Sequence, residues 1–258
     1  MTELYAQLTA FAGIGQAWLW TAALVFLRVG AAMALMPAFG EQVVPQRVRL
    51  ALALAFTAVV MPAVSDSMAG VQGTLRPAAI EVLIGLALGI GMRLFIFAVQ
   101  IAAAIIAQVT SLSQLFGGST PDPQPAIGNL LTVVALALAV LAGLHVKAAS
   151  LLILSYRALP PGRFPDAADM ADWGLLQVGH SFTLAFALAA PFVIASVVYN
   201  VALGIISKAM PQLSVILVGA PALTAASLVL MLLAVPLMLA VWLGSFDAFL
   251  LQPFKTGP

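Results

Sequence analysis

No cysteine occurs in the 258 residues, which excludes disulfides, thiolate nucleophiles and Cys-held metal together. Charge is almost as scarce: ten Lys and Arg, nine Asp and Glu and two His leave a formal net charge of +1, with 7% of residues charged. A soluble domain carries about a quarter charged residues, so an ordinary soluble enzyme is excluded. No long run of Lys or Arg supplies the electrostatic footprint that nucleic acid requires. A removable secretory leader is not expected either. The first ten residues hold Glu3 and no Lys or Arg, and the apolar run from Phe11 outlasts a leader, which predicts a retained membrane segment.

What is present is apolar. Hydrophobic residues make up 63% of the chain and the mean hydropathy is +1.13. Six long apolar stretches stand out, at 11–36, 48–64, 78–109, 126–154, 175–206 and 213–251. Each approaches or exceeds the ~20 residues that cross a ~30 Å hydrocarbon core, so the expected fold is an all-α membrane protein of about six long helices. Several stretches exceed a simple span, and Pro191 and Pro236 fall inside two of them, which predicts kinks or breaks there. Polar or Pro/Gly-rich breaks lie at 37–47, 65–77, 110–125 and 155–174. The last two stretches are separated only by the turn containing Lys208, Pro211 and Gln212, short enough for an antiparallel helical hairpin. With six crossings, the distribution of Arg and Lys places both termini in the cytoplasm by a thin margin.

Catalytic patterns are nearly absent. His145 and His180 belong to no His-Glu-x-x-His or Gly-x-Ser-x-Gly motif, and no Walker pattern occurs. An intramembrane enzyme would need paired polar groups at one depth, and Glu81, His145 and His180 lack such spacing. The informative residues are ionisable ones inside apolar runs. Arg28, Glu81 and Arg93 each cost about 2.5 kcal/mol or more against lipid at mid-bilayer, so each should face protein or water. Two readings stay open: a structural ion pair with a neighbouring helix or subunit, or the lining of a transport path.

Around the third stretch, Gly85, Gly89, Arg93, Gln100, Ala104 and Gln108 fall within roughly 140° at 100° per residue, one small-and-polar stripe suited to close packing or to a watery lumen. Leu83, Phe95, Ile101 and Ile105 lie opposite. In the break that follows, Leu112, Leu115 and Phe116 abut Gly117 and Gly118 and a Pro-rich exit. Such a loop is either a mobile hydrophobic plug acting by dewetting, or an external loop with incidental apolar side chains. The Pro-interrupted helices also allow a secondary transporter of small solutes, although the halves show no matching repeat.

The runs MPAFGEQVVPQRVRLALALAF, EVLIGLALGIGMRLFIFAVQ, YRALPPG and NVALGIISKAMPQLSVILVG, in that order, resemble the FliR family of flagellar biosynthetic proteins and its virulence type III secretion counterparts. The matched runs extend from Arg28 to Pro221, and KAMPQLSV is their most specific part. The resemblance implies a non-enzymatic core subunit of the export gate, without cofactor or metal. It would be assembled with FliP-like and FliQ-like subunits beside an FlhB-like one, in the bacterial inner membrane at the flagellar basal body. Unfolded proteins would be its cargo in transit. It also implies a FliP-like region over 1–174 and a FliQ-like hairpin over 175–258, with the lumenal plug in the loop 110–125. Phe116 and Leu112 match apolar plug positions. Ser113 stands where relatives often carry a second Phe, Ala104 where a glutamate is common, and Ala220 where a Phe frequently precedes Pro221.

Overall fold

The structure, a computed structural model, describes residues 2–71, 74–110, 125–209 and 215–254. Seven α-helices run along these residues: α1 (Thr2–Leu35), α2 (Gln46–Val64), α3 (Leu75–Thr110), α4 (Pro125–Leu141), α5 (Leu144–Ala158), α6 (Ala167–Ala209) and α7 (Val215–Leu251). A single 3-10 turn follows α2 at Ser65–Met68, and no strand occurs among the described residues. Five helices are long and apolar enough to cross a membrane, or six spans when α4 and α5 are counted as one bent pair.

The apolar runs form helices because nothing polar interrupts them, and local chemistry stops them. Pro37 lacks an N–H and ends α1. The turn that follows closes through Gly40 N–H donating to the Met36 carbonyl at 2.8 Å, where a Cβ on Gly40 would press on the Met33 and Ala34 backbone. Asp166 starts α6 by accepting the amides of Ala168 (2.8 Å) and Asp169 (3.3 Å).

Two departures from expectation concern breaks. The fourth apolar stretch is two helices bent by 72°, because Gly143 sits at φ +83°, outside the region an ordinary residue adopts, and opens α5 with its carbonyl. Conversely, neither Pro191 nor Pro236 breaks its helix, α6 and α7 being helical on both sides of them. Each proline removes only one intrahelical hydrogen bond, and a helix whose flanks are uniformly apolar has no alternative backbone partner to unwind toward.

The chain clusters into two compact units. The first comprises Met1–Arg93, Ala142–Gln177 and Asp247–Pro258, the second Leu94–Leu141 and Val178–Phe246. Leu24, Val25, Met33, Ile84, Leu88, Leu151 and Leu152 form much of the first core, and Phe95, Ile96, Leu184, Phe192, Trp242 and Phe246 much of the second.

Candidate functional site

At the centre of the first unit, Arg28 is fully buried on α1 and meets fully buried Glu81 on α3. Two parallel bonds join them, Nε to Oε2 at 2.6 Å and Nη2 to Oε1 at 3.1 Å. The guanidinium has further acceptors: Nη1 donates to Ser155 Oγ and Nη2 to the Leu159 carbonyl, both at 3.1 Å. Ser155 Oγ in turn donates to the Leu152 carbonyl at 2.6 Å. The Tyr156 ring covers the guanidinium at 3.7 Å. A planar, delocalised cation suits this place, because its fork matches a carboxylate while its face stacks on an aromatic ring. Its position at the C-terminus of α5 also sets positive charge against the negative end of that helix.

The close approach of α1 and α3 depends on glycine. A Cβ at Gly85 would collide with the Arg28 carbonyl and meet Ala31 Cβ at 2.8 Å; at Gly89 it would meet the Ala32 carbonyl at 2.9 Å. The stripe read from the sequence therefore divides. Gly85 and Gly89 meet α1 of the same chain, and Arg93 pairs with Glu41 from the α1–α2 turn. Gln100 and Gln108 are exposed in the second unit, where Gln100 lines a groove of about 330 Å³ with Leu94, Phe97, Ala104, Ser181 and Phe182. Phe95, on the side read as apolar, is buried, with the His180 and Phe246 rings tilted against it at centroid distances of 5.9 and 5.3 Å. Lys208 is exposed near the end of α6. Leu112, Leu115, Phe116, Gly117, Gly118, Pro211 and Gln212 lie outside the described residues.

Sequence reading missed several polar anchors. In the second unit three side chains donate to carbonyls of α3: Trp242 Nε1 to Phe95 (2.8 Å), Ser181 Oγ to Leu94 (2.8 Å) and Ser196 Oγ to Val109 (3.3 Å). Helical carbonyls keep a second lone pair, so such bonds fasten helices without unwinding them. In the first unit Lys147 pairs with Asp247 at 2.6 Å, and Trp173 Nε1 donates to the Pro253 carbonyl at 2.7 Å. The available signal was Trp242 inside the last apolar run and Trp173 just before the fifth, since a buried indole N–H requires an acceptor. Trp242→Phe is expected to cost about 1 kcal/mol of stability through that lost bond, read by denaturant titration of the full chain in micelles. An unchanged midpoint would show that the bond contributes nothing.

Among the described residues no group of three His, Asp or Glu could hold a metal ion, and the most elaborate polar cluster is a saturated ion pair. These features define a polytopic α-helical membrane protein whose buried charge serves helix packing. The chain belongs to the bacterial export proteins, family 1, whose pattern matches residues 19–249. It is 33% identical to flagellar biosynthetic protein FliR of Caulobacter vibrioides, over 94% of this chain and 98% of that one. It is 31% identical to FliR of Escherichia coli over 82% of each chain, and 28% identical to FliR of Bacillus subtilis over 84% and 87%.

Proposed function

We propose that the chain is a non-enzymatic subunit of the flagellar type III export gate in the bacterial inner membrane. There, beside FliP-like, FliQ-like and FlhB-like subunits, it helps enclose the conduit for unfolded flagellar proteins. The observation that carries this reading is uncovered apolar length. At 1.5 Å per residue, α6 and α7 measure about 65 and about 55 Å, far beyond a ~30 Å hydrocarbon core. Between Ala225 and Leu251 of α7 only Met238, Leu239, Trp242, Phe246, Phe249 and Leu250 are buried within the chain. Apolar surface that outruns the bilayer must be covered by other protein, which favours an assembly over a self-sufficient transporter.

Two of this reading's finer parts rest on family resemblance. The division into a FliP-like region, 1–174, and a FliQ-like hairpin, 175–258, assigns α6 and α7 to the hairpin. The loop 110–125 is assigned the role of plug, with Leu112, Leu115 and Phe116 supplying the apolar closure and Gly117 and Gly118 the backbone freedom.

Deleting 112–116 from the full chain tests the plug. The expected result is a membrane that leaks ions and cells with altered filament assembly. A tight membrane with normal export removes the plug assignment. The assembly itself is tested by purification in mild detergent, where FliP- and FliQ-like subunits should accompany the chain. Solute uptake by the purified chain alone in proteoliposomes would replace the reading with that of a transporter.

A further inference from the structure

The far edge of the first two spans carries a charge arrangement that the export reading does not use. α2 opens a 23-residue apolar candidate span, Gln46–Met68. It measures about 35 Å at 1.5 Å per residue, about one hydrocarbon thickness, so its first turn, beside the α1–α2 turn, lies at a membrane–water boundary.

α2 leaves that turn with two arginines, Arg47 exposed and Arg49 half-buried. Arg49 Nε donates to the Val44 carbonyl at 3.1 Å, which draws its guanidinium back onto the turn. The nearby acid, Glu41, is engaged by Arg93, and neither Arg47 nor Arg49 forms an ion pair among the described residues. Below Arg47 the helix face is apolar and uncovered. At 100° per residue Leu50, Ala51, Leu54 and Ala58 fall within about 60° of Arg47, and the buried residues Ala53, Thr57, Val60 and Val64 occupy the other side. Leu50 and Leu54 are 52% and 53% exposed, and Val43 on the turn is 92% exposed.

We propose that this face of α2 is a binding site for an anionic phospholipid, with Arg47 on the headgroup phosphate, Arg49 adding positive charge at the same edge, and Leu50 and Leu54 along the acyl chains. A cation at the rim above an apolar stripe complements an amphiphile carrying negative charge at one end. Each basic residue at an anionic membrane surface contributes roughly fivefold in binding. The site does not depend on the export function.

The full chain, purified in neutral detergent, is mixed with phosphatidylglycerol or phosphatidylcholine, and retained lipid is counted by native mass spectrometry. Phosphatidylglycerol should be retained at least about fivefold over phosphatidylcholine, Arg47→Gln should remove most of that preference, and Arg47→Lys should keep it. Full preference in Arg47→Gln overturns the proposal. So does equal displacement by inorganic phosphate at the lipid's concentration, which would mark a simple anion site. In native membranes, a benzoylphenylalanine photoprobe placed at Leu54 should yield lipid adducts, and adducts to protein alone would assign the face to a partner subunit.

Discussion

Glu81→Ala is expected to destabilise the chain by about 3–5 kcal/mol, the cost of leaving a buried charge without its partner. Arg28 would keep only neutral acceptors, Ser155 Oγ and the Leu159 carbonyl, in a place from which water is excluded. Arg28→Met should cost a similar amount by stranding the Glu81 carboxylate. The double variant Arg28→Met/Glu81→Leu should recover most of the loss, because a buried pair replaced by apolar groups of similar volume forfeits its attraction and its desolvation cost together. Lys147→Ala provides the contrast. Its pair with Asp247 has side chains 27% and 32% exposed, so solvent screens it and about 1 kcal/mol or less is at stake. Unfolding midpoints of the full chain in detergent micelles measure all four. A Glu81→Ala variant no less stable than Lys147→Ala would refute the assignment of this pair as the fastening of the first unit.

This ordering of effects follows from the surroundings. In water a lone ion pair is weak, but Arg28 is held by a bidentate carboxylate, a hydroxyl, a helix-terminal carbonyl and an aromatic face at once. Those groups come from α3, α5 and the residue after it while Arg28 itself stands on α1, so one side chain fixes three helices. The transport-path reading of Arg28 and Glu81 requires contact with a watery lumen, and neither side chain has any exposed surface in the chain. Saturated and dry, the pair is built for holding rather than for conducting.

The long apolar runs were legible because hydropathy is a local property summed over twenty residues, and five of the six became unbroken helices. The break at Gly143 was hidden for the same reason. Ala142 and Gly143 are as compatible with an apolar helix as their neighbours, and only the left-handed backbone at Gly143 marks the bend. Arg28 and Glu81 could be singled out because a charge in an apolar run carries a cost wherever it lies. Ser155, Tyr156 and the Leu159 carbonyl could not, since they are ordinary until the fold brings them 127 or more residues back to Arg28. The stripe on α3 shows the limit of helical arithmetic. The angles are correct for an ideal helix, but which part of a face is covered is decided by the partner helix, and α1 covers the glycine end while Gln100 stays exposed. Order and spacing of short motifs carried the family, whose pattern matches nearly the whole chain.

Gly85→Val should be the most disruptive single apolar substitution in the first unit, and Gly85→Ala should already cost about 1–3 kcal/mol, as overpacked cores do. An added Cβ meets backbone and Cβ atoms of α1, which cannot rotate aside as the tip of a side chain can, so α1 must move bodily. Glu81 and Gly85 are one helical turn apart on α3, and both face Arg28. The displacement is therefore delivered to the ion pair, where it lengthens charge-assisted bonds. Gly91→Ala should be milder, because its nearest contacts are ring-edge atoms of Phe249 and Trp173, at 2.7 and 3.1 Å. Gly30→Ala should be neutral or stabilising by up to about 1 kcal/mol, since its Cβ would lie 3.8 Å from the Phe26 ring and alanine is the better helix former. In the Arg28→Met/Glu81→Leu background Gly85→Ala should cost less than in the native chain, since no ion pair remains to be pulled apart. Equal costs in the two backgrounds would show that the crossing and the charge act independently. A Gly85→Ala chain as stable as Gly30→Ala would show that α1 and α3 do not approach this closely.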